Sequence, residues 1–301
     1  MKPLALILAA LPLTAQADTL AVTQVTEHTY ALTGPLTQRD PVNLGNNATF
    51  GVILTTEGVV LVDPGGSWLG AQMIDQTLDT ITDAPVTHVI DTGGQDHRWL
   101  GNGYWQAQGA QVYASTTAVT DQQTRESLQF TKLSQLIGEG LKGTAPAYAD
   151  VTFDSDLTLT VGDTTIQITA PGPAHTPGDA FVWFPAESVV FTGDIAFTER
   201  LLGVQDFSNT RDWIAAFESM AALTPTHVVP GHGAPTDLAT ATRDTYDYLA
   251  NLRTQIGALI DAGGDIIAAP TIDQSAWSDL DQFAAMAGRN AQATYEQMEW
   301  E

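Results

Sequence analysis

Four apolar runs rich in β-branched residues each end in a short loop of glycine or proline that carries histidine or aspartate. They are VIDTGGQDHR from Val89, ITAPGPAHTPGD from Ile168, VVFTGD from Val189 and THVVPGHG from Thr226. Each run reads as a buried strand, and loops at strand ends are where side chains from distant parts of a chain can converge on one ion. His175, Asp194 and His232 are the ligand-type residues of the last three loops. Neutral imidazole nitrogen together with carboxylate oxygen suits zinc, and also iron or manganese. A lone histidine is more often structural, and His28, His88 and His227 are read that way because each sits in or beside a strand-like run. Three histidine or aspartate loops in succession after strands argue for ligation instead.

The rest of the chain is organised around these runs. HTYALTG from His28 and ATFGVILTTEGVVLVDPGG from Ala48 carry alternating and β-branched residues, the second folding as a hairpin at Glu57-Gly58. Helical periodicity runs from Trp68 to about Ile81, followed by a strand at Val86 to Ile90, a strand candidate at Gln111 to Ala114 and a polar helix at Thr116 to Gly138. A second block of strands follows: VTFDSDLTLTVGDTTIQITA, AFVWFP and SVVFTGD. Helices are expected at Arg211 to Ala222, Leu238 to Ala262 and Ser275 to Met298, with THVVP as a strand between the first two. This order, strands and helices twice over, predicts an α/β (α+β) fold of four layers, αββα, with sheets inside and helices outside.

Composition narrows the setting. The chain opens MKPLALILAALPLTAQADTL, a positive start, an apolar stretch and an Ala15-Gln16-Ala17 cleavage site, too short to span a bilayer. Residues 1–17 are therefore expected to be a signal peptide and residues 18–301 a single domain, exported to the periplasm or secreted, with no membrane association after cleavage. Thirty-five acids against eleven bases give a formal charge of −24, a surface that repels phosphate backbones and makes nucleic acid a poor partner. There is no cysteine, so an exported chain folds without disulfides and any metal is held by histidine and carboxylate.

The series LVDPGG, GPAHTPGD, VVFTGD and VVPGHG, in that order between Ala48 and Gly233, resembles the metallo-β-lactamase superfamily. The resemblance implies an αββα sandwich with a metal site at the edge where the sheets meet, and hydrolysis by a metal-bound hydroxide. Within the family the paired AHTPGD and FTGD motifs and the long C-terminal helices, from about residue 238, look nearer to glyoxalase II-like and periplasmic hydrolases than to antibiotic-degrading enzymes.

One loop departs from the family. Its main ligand motif is His-x-His-x-Asp-His, and here Asp91-Thr92 and Gly101-Asn102 stand at the flanking positions. Aligned without gaps, the leading histidines become Gly93 and Gln95, the aspartate becomes His97 and the last histidine becomes Arg98. Alternatively Asp96-His97 is the Asp-His pair displaced by one residue, which turns a helical side chain by about 100° and requires a tighter loop or bulged first turn. Gly93-Gly94 would permit an unusual backbone there. By the resemblance, the leading pair and the equivalent of His175 hold one metal, the Asp-His pair and the equivalent of His232 hold the second, and the equivalent of Asp194 bridges them. The first site keeps only His175 and Asp194, while the second can keep Asp96, His97, Asp194 and His232. Asp63 is expected to order loops, Arg98 to pair with Asp91 or hold an anionic group, and Trp99, Tyr104 and Trp105 to be core or groove wall.

These readings lead to a metal-dependent hydrolase of an ester, thioester or lactone, a small-molecule substrate, with at most one ion, zinc first and iron or manganese next. Asp96 would ligate or orient the nucleophile; His175 would bind metal or steady the developing oxyanion. A non-catalytic binding protein that lost its metals, or a single-iron centre for oxygen or sulfur chemistry, are the competing classes.

Overall fold

The structure, a computed structural model, describes residues 20–301; the expected signal peptide lies outside the described residues. Seven strands form the first sheet in sequence order: β1 (Ala21–Gln24), β2 (Thr29–Thr33), β3 (Thr49–Thr55), β4 (Gly58–Val62), β5 (Val86–Asp91), β6 (Gln111–Ser115) and β7 (Val151–Phe153). The first four pair antiparallel and the last four parallel. The second sheet runs β12 (His227–Val229), β11 (Val189–Phe191), β10 (Phe181–Phe184), β9 (Thr164–Thr169) and β8 (Asp156–Val161), with only β11 and β12 parallel.

Strands buried on both faces read as continuous apolar runs, and β3 and β4 do so. Their side chains alternate between two cores. Ile53, Val60 and Val62 point inward, where they meet Ile168, Val182, Val189 and Phe191 of the second sheet. Val52, Val59 and Leu61 point outward against Ile74 of α1 (Trp68–Leu78) and Trp105 of α2 (Asn102–Ala107). Gly51 marks the closest approach of the sheets, since a Cβ there would overlap the Phe191 ring. On the far side, Phe181, Val190 and Val228 carry α4 (Thr210–Ala221), α6 (Asp247–Asp261) and α7 (Phe283–Met298) through Trp213, Phe217, Leu252 and Ala291. The result is the four-layer αββα sandwich. The 22-residue α3 (Thr116–Ile137) closes one side, its start capped by Ser115 Oγ accepting from Ala118 N.

Three elements differ from expectation, each for a local reason. VTF of the second strand block joins the first sheet, as β7 beside β6, and the chain bends at Asp154-Ser155 before entering the second sheet. The helix expected from Leu238 is broken into α5 (Leu238–Ala241), a π-helical turn at Thr242–Tyr246, and α6. The wide turn lets Thr245 Oγ1 take Phe197 N and give to Phe197 O, while Asp244 accepts from Glu199 N. Polar contacts thus hold the loop after Asp194 in place, the sort of use π-turns serve. The last helix is interrupted at Gln282, whose φ of 63° is left-handed, so that Ser275–Trp277 is a separate 3₁₀ turn.

Among the described residues no helix is long and apolar enough to cross a membrane. Trp99, Tyr104 and Trp105 are core, and the two indole N–H groups find Gln129 Oε1 and Pro64 O at 2.8 and 2.9 Å.

Candidate metal centre

The C-terminal ends of β5, β11 and β12 lie side by side, which brings the sequence-distant loops together. His97, Asp194 and His232, all buried, offer donor atoms that lie within 4.8 Å of one another. His97 Nε2 is 3.3 Å from Asp194 Oδ2, and His232 Nε2 is 3.4 Å from Asp194 Oδ1. Beneath them lies Arg98, fully buried. Its Nη2 donates to Asp194 Oδ1 at 2.7 Å and Gly231 O at 2.8 Å; its Nη1 donates to Asp63 Oδ2 at 2.7 Å and Thr49 O at 3.2 Å. The guanidinium therefore bridges two carboxylates from different sheets, and its expected pairing with Asp91 is replaced by this one. Asp91 instead accepts from Asn102 Nδ2 at 2.7 Å, and burial pushes its carboxyl well above the usual range. Asp63 does order its loop, accepting from Thr92 N and Oγ1 at 2.8 Å, and holds a left-handed φ of 69° to do so.

The loop itself resolves the two alignments. Asp96–Arg98 make one 3₁₀ turn, and both His97 and Arg98 point into the centre. The structure places Asp96 differently from the four-residue ligand set expected of it. Its carboxylate is turned onto Arg39, with Nε at 3.0 Å and Nη2 also in contact, and it accepts from His97 N at 2.8 Å. A guanidinium fork matches both the carboxylate and the neighbouring ring nitrogen, which outcompetes an inward turn. Gly93 and Gly94 also act otherwise than expected. Neither has a positive φ; a Cβ would overlap Asp179 Oδ1 at Gly93 and Asp121 Oδ2 at Gly94. Carboxylates fill the room that side chains would need. Gln95 is directed to Arg125, whose Nη1 is 3.3 Å from Oε1.

His175 is buried, with Nδ1 lacking a hydrogen-bond partner among the described residues, and its ring is walled by Phe197, Phe207 and Trp213. It is not in the group of converging donors. Burial lowers its pKa to about 4, with His97, Arg125 and Arg39 adding and Asp194 opposing. His232 is likewise held well below its ordinary value by burial. Burial works against the charge on Asp194, but Arg98, His97 and the hydrogen bond from His232 outweigh it and keep the carboxylate ionised. Asp179 is pushed up to about 8 by burial and then by Asp194, so it is protonated at neutral pH. The remaining histidines sit apart: His28 on Glu187 at 2.6 Å, and His88 stacked on Tyr113.

The donor set fits one ion. Bonds of about 2.0–2.1 Å place two ligands of one ion at most about 4.2 Å apart, and about 3.3 Å apart at tetrahedral angles. One donor from each of His97, Asp194 and His232 lies within 4.8 Å of the others, so a small contraction brings all three onto one ion. Three protein donors are what a catalytic zinc uses. Arg98 and His232 both lie on Asp194 Oδ1 and His97 lies on Oδ2, so the arginine supports the ligand as an outer partner does while His232 turns towards Oδ2 to share an ion with His97. One adjustment is needed. Arg39 Nη2, which only donates, lies 2.6 Å from His97 Nδ1 and sets the ring proton on Nε2. Binding through Nε2 moves that proton to Nδ1, which requires Arg39 Nη2 to withdraw from it and leaves Asp96 Oδ1, 3.2 Å away, as the acceptor. The expected first site, by contrast, has only His175 and Asp194 left and does not fit a second ion.

Sequence reasoning missed Arg39, Arg125 and Arg200. None lies in a motif, yet bases are scarce here, and four of the chain's eleven, with Arg98, surround this centre. In so acidic a chain that scarcity was the available signal.

Comparison with known proteins agrees with the geometry. Residues 45–232 match the family described as metallo-beta-lactamase superfamily, and the chain belongs to it. A metallo-beta-lactamase type 2 of Elizabethkingia meningoseptica is 26% identical over 203 residues, covering 66% of this chain and 73% of that one. The solved metallo-beta-lactamase from Pontibacter korlensis superposes with a TM-score of 0.63 at 22% identity, over 77% of this chain and all of that one. A stereoselective inverting sec-alkylsulfatase from Pseudomonas sp. superposes with a TM-score of 0.72 at 14% identity, over 94% of this chain and half of that one. Lactamases and a sulfatase share this fold, so the fold by itself selects no substrate.

Two outcomes follow from the charges. Replacing Arg98 by Leu leaves Asp63 and Asp194 buried without their cation, and denaturant unfolding should show a loss of about 3–5 kcal/mol; a loss under ~1 kcal/mol would mean the bridge is not a stabilising contact. His175, with a folded pKa of about 4 against an ordinary 6.5, stabilises the fold fully above pH 6.5. That contribution is lost as pH falls from 6.5 towards 4 and is gone below 4. In chelator-treated protein, His175→Gln should flatten the acid limb of melting temperature across that window, relative to the parent.

Proposed function

We propose that this chain is an exported hydrolase that uses one metal ion, held by His97, Asp194 and His232, to cleave an ester, thioester or lactone. The observation that carries the reading is the convergence of three buried donors within 4.8 Å of one another around a carboxylate held in place by Arg98. Zinc suits two imidazoles and a carboxylate, with iron or manganese as other occupants. When bound, such an ion lowers the pKa of a coordinated water and polarises a carbonyl.

The chain's own residues divide the remaining work. His232 presents a nitrogen kept neutral by burial, and His97 faces the same carboxylate. Asp96 is a positioning residue: its carboxylate accepts a hydrogen bond from His97 Nδ1–H and so orients the ligand, rather than joining it as a donor. His175, neutral at physiological pH and with an unpartnered buried nitrogen, can give an N–H to the oxygen on which negative charge develops. The water oxygen bonds to the acyl carbon, the C–O or C–S bond breaks, and the departing alcohol or thiol takes a proton. A small-molecule substrate suits a centre this enclosed, and the export signal in residues 1–17 supports a periplasmic or secreted location.

A second reading has one observation in its favour. Arg39 on Asp96 and His97, with Arg98 on Asp63 and Asp194, pairs the buried charges without any ion, as a non-catalytic binding protein would need.

Native mass spectrometry and elemental analysis separate the two. One ion per chain is expected, abolished by Asp194→Ala and weakened about 10–100-fold in affinity by Asp96→Asn, the usual cost of losing an outer partner. Chelator-sensitive turnover of at least one member of a thioester, lactone and aryl ester panel should accompany it. Two tightly held ions would refute the account of the loop; a metal-free, inactive protein would leave the binding reading. Independently, N-terminal sequencing of protein recovered from outside the cytoplasm should start at Asp18, and an intact Met1 would refute export.

A further inference from the structure

Arg200 stands out among the arginines at this centre. Arg39 has Asp96, Arg98 has Asp63 and Asp194, and Arg125 has Asp121. Arg200 is partly buried beside His232, yet no carboxylate oxygen lies within 4.0 Å of its guanidinium among the described residues. Its Nη1 has only long contacts, 3.4 Å to Thr37 O and 3.5 Å to His232 Nδ1, and its Nε is buried with no partner. Asp194 and Asp281 attract it from a distance without pairing. Taking a guanidinium out of water without a counter-charge costs several kcal/mol. In a chain with thirty-five acids, a carboxylate to meet it is not hard to find, and none is placed there.

The neighbourhood explains where the counter-charge comes from. Arg200 lies on the loop held by Asp244 and Thr245, and faces Thr37 on the loop that carries Arg39. Residues 37 and 38 are exposed, so this edge of the centre is its border with solvent. Burial and then Arg39 push the Arg200 pKa down to about 10, which still leaves it cationic at neutral pH. An outside anion arriving at that edge would meet two adjacent guanidiniums, one already neutralised by Asp96 and one not.

We propose that Arg200 is the anchor for an oxyanionic group, carboxylate or sulfate, on the substrate, so that the esters this centre accepts are anionic ones. This rests on the hydrolase reading given above and adds the substrate's charge to it. The unpaired Nε and the terminal nitrogens form the planar fork that suits two oxygens of one oxyanion. Its place next to His232 puts the anchored group close to the ion's ligands, so the charge and the scissile bond sit near one another in the same small molecule. The strongly acidic surface elsewhere discourages anions at every other face and leaves this edge as the receptive one.

The test has a binding arm and a kinetic arm. In the first, inorganic sulfate and, separately, acetate are titrated calorimetrically into the full mature protein, which requires no turnover. Saturable binding of at least one is expected, weakened about 10–100-fold by Arg200→Gln, the worth of hydrogen bonds to a charged group, and largely kept by Arg200→Lys. The tighter of the two anions identifies the group. In the second, kcat/KM for an aryl hemiglutarate is divided by that for the matching neutral aryl butyrate. The ratio should exceed about 10 in the parent, fall by a similar factor in Arg200→Gln through KM, and recover in Arg200→Lys; thermal melts of both variants check that they fold. If no ester is turned over but anion binding depends on Arg200, the hydrolase reading fails and the anion site stands. Turnover without preference for the anionic ester, together with anion binding that Arg200→Gln leaves unchanged, overturns the proposal.

Discussion

The buried guanidinium of Arg98 is the contact on which the rest of this structure depends. It reaches Asp63 from the loop after β4, Asp194 from the loop after β11, and the carbonyls of Thr49 and Gly231. Four strand ends from two sheets are thereby tied to one side chain. Burial disfavours its charge, yet Asp194 and Asp63 hold its pKa above the ordinary arginine value. A buried ion pair is not in general a source of net stability, but removal of one member is costly. Its use here is positional: it fixes which oxygen of Asp194 is committed and which is left for a ligand.

The same contact explains how the loop tolerates its lost histidines. A leading histidine would require a side chain at Gly93, where Asp179 now stands, protonated and bonded to Thr176. Thr176 in turn accepts from Gly94 N at 3.1 Å. The turn is closed by these carboxylate and hydroxyl contacts, and the glycines are a consequence of crowding. Restoring one residue would displace Asp179 before it restored a ligand. The departure from the family motif is thus a coherent repacking of one side of the centre, while the other side keeps three donors in register.

Much of this was legible in the sequence, and the boundary is physical. Two-fold alternation and strand-end loops gave most of both sheets and placed Asp194 and His232 near each other, because a strand's direction fixes where its terminal loop emerges. The same periodicity could not say that VTF crosses to the first sheet, since three residues carry no register. Nor could it show the π-turn at Thr242–Tyr246, whose cause is a polar contact to Phe197 and Glu199 forty-odd residues away. At the centre, spacing left two alignments of GGQDHR open. The choice between them lay in Arg39, which no motif contains, because a guanidinium that is distant in sequence competes for Asp96 as soon as the sheets pack.

Charge is the level at which those missed residues become intelligible. A chain of −24 gains solubility from its surface but has few cations with which to compensate buried carboxylates. It spends four of eleven at one place. Asp63, Asp96, Asp121 and Asp194 account for the charge of three, with Asp63 and Asp194 sharing Arg98. The fourth, Arg200, is therefore left positive where the local potential from the rest of the protein is negative. Such a cation is stable only if solvent or a ligand completes it, so Glu199 and Arg200 stay near the surface while Ile195, Leu201 and Leu202 on either side are sealed into the core. The polar clamps from Asp244 and Thr245 meet that demand by fixing backbone rather than side chain, leaving the guanidinium itself uncommitted at the border of an otherwise closed centre.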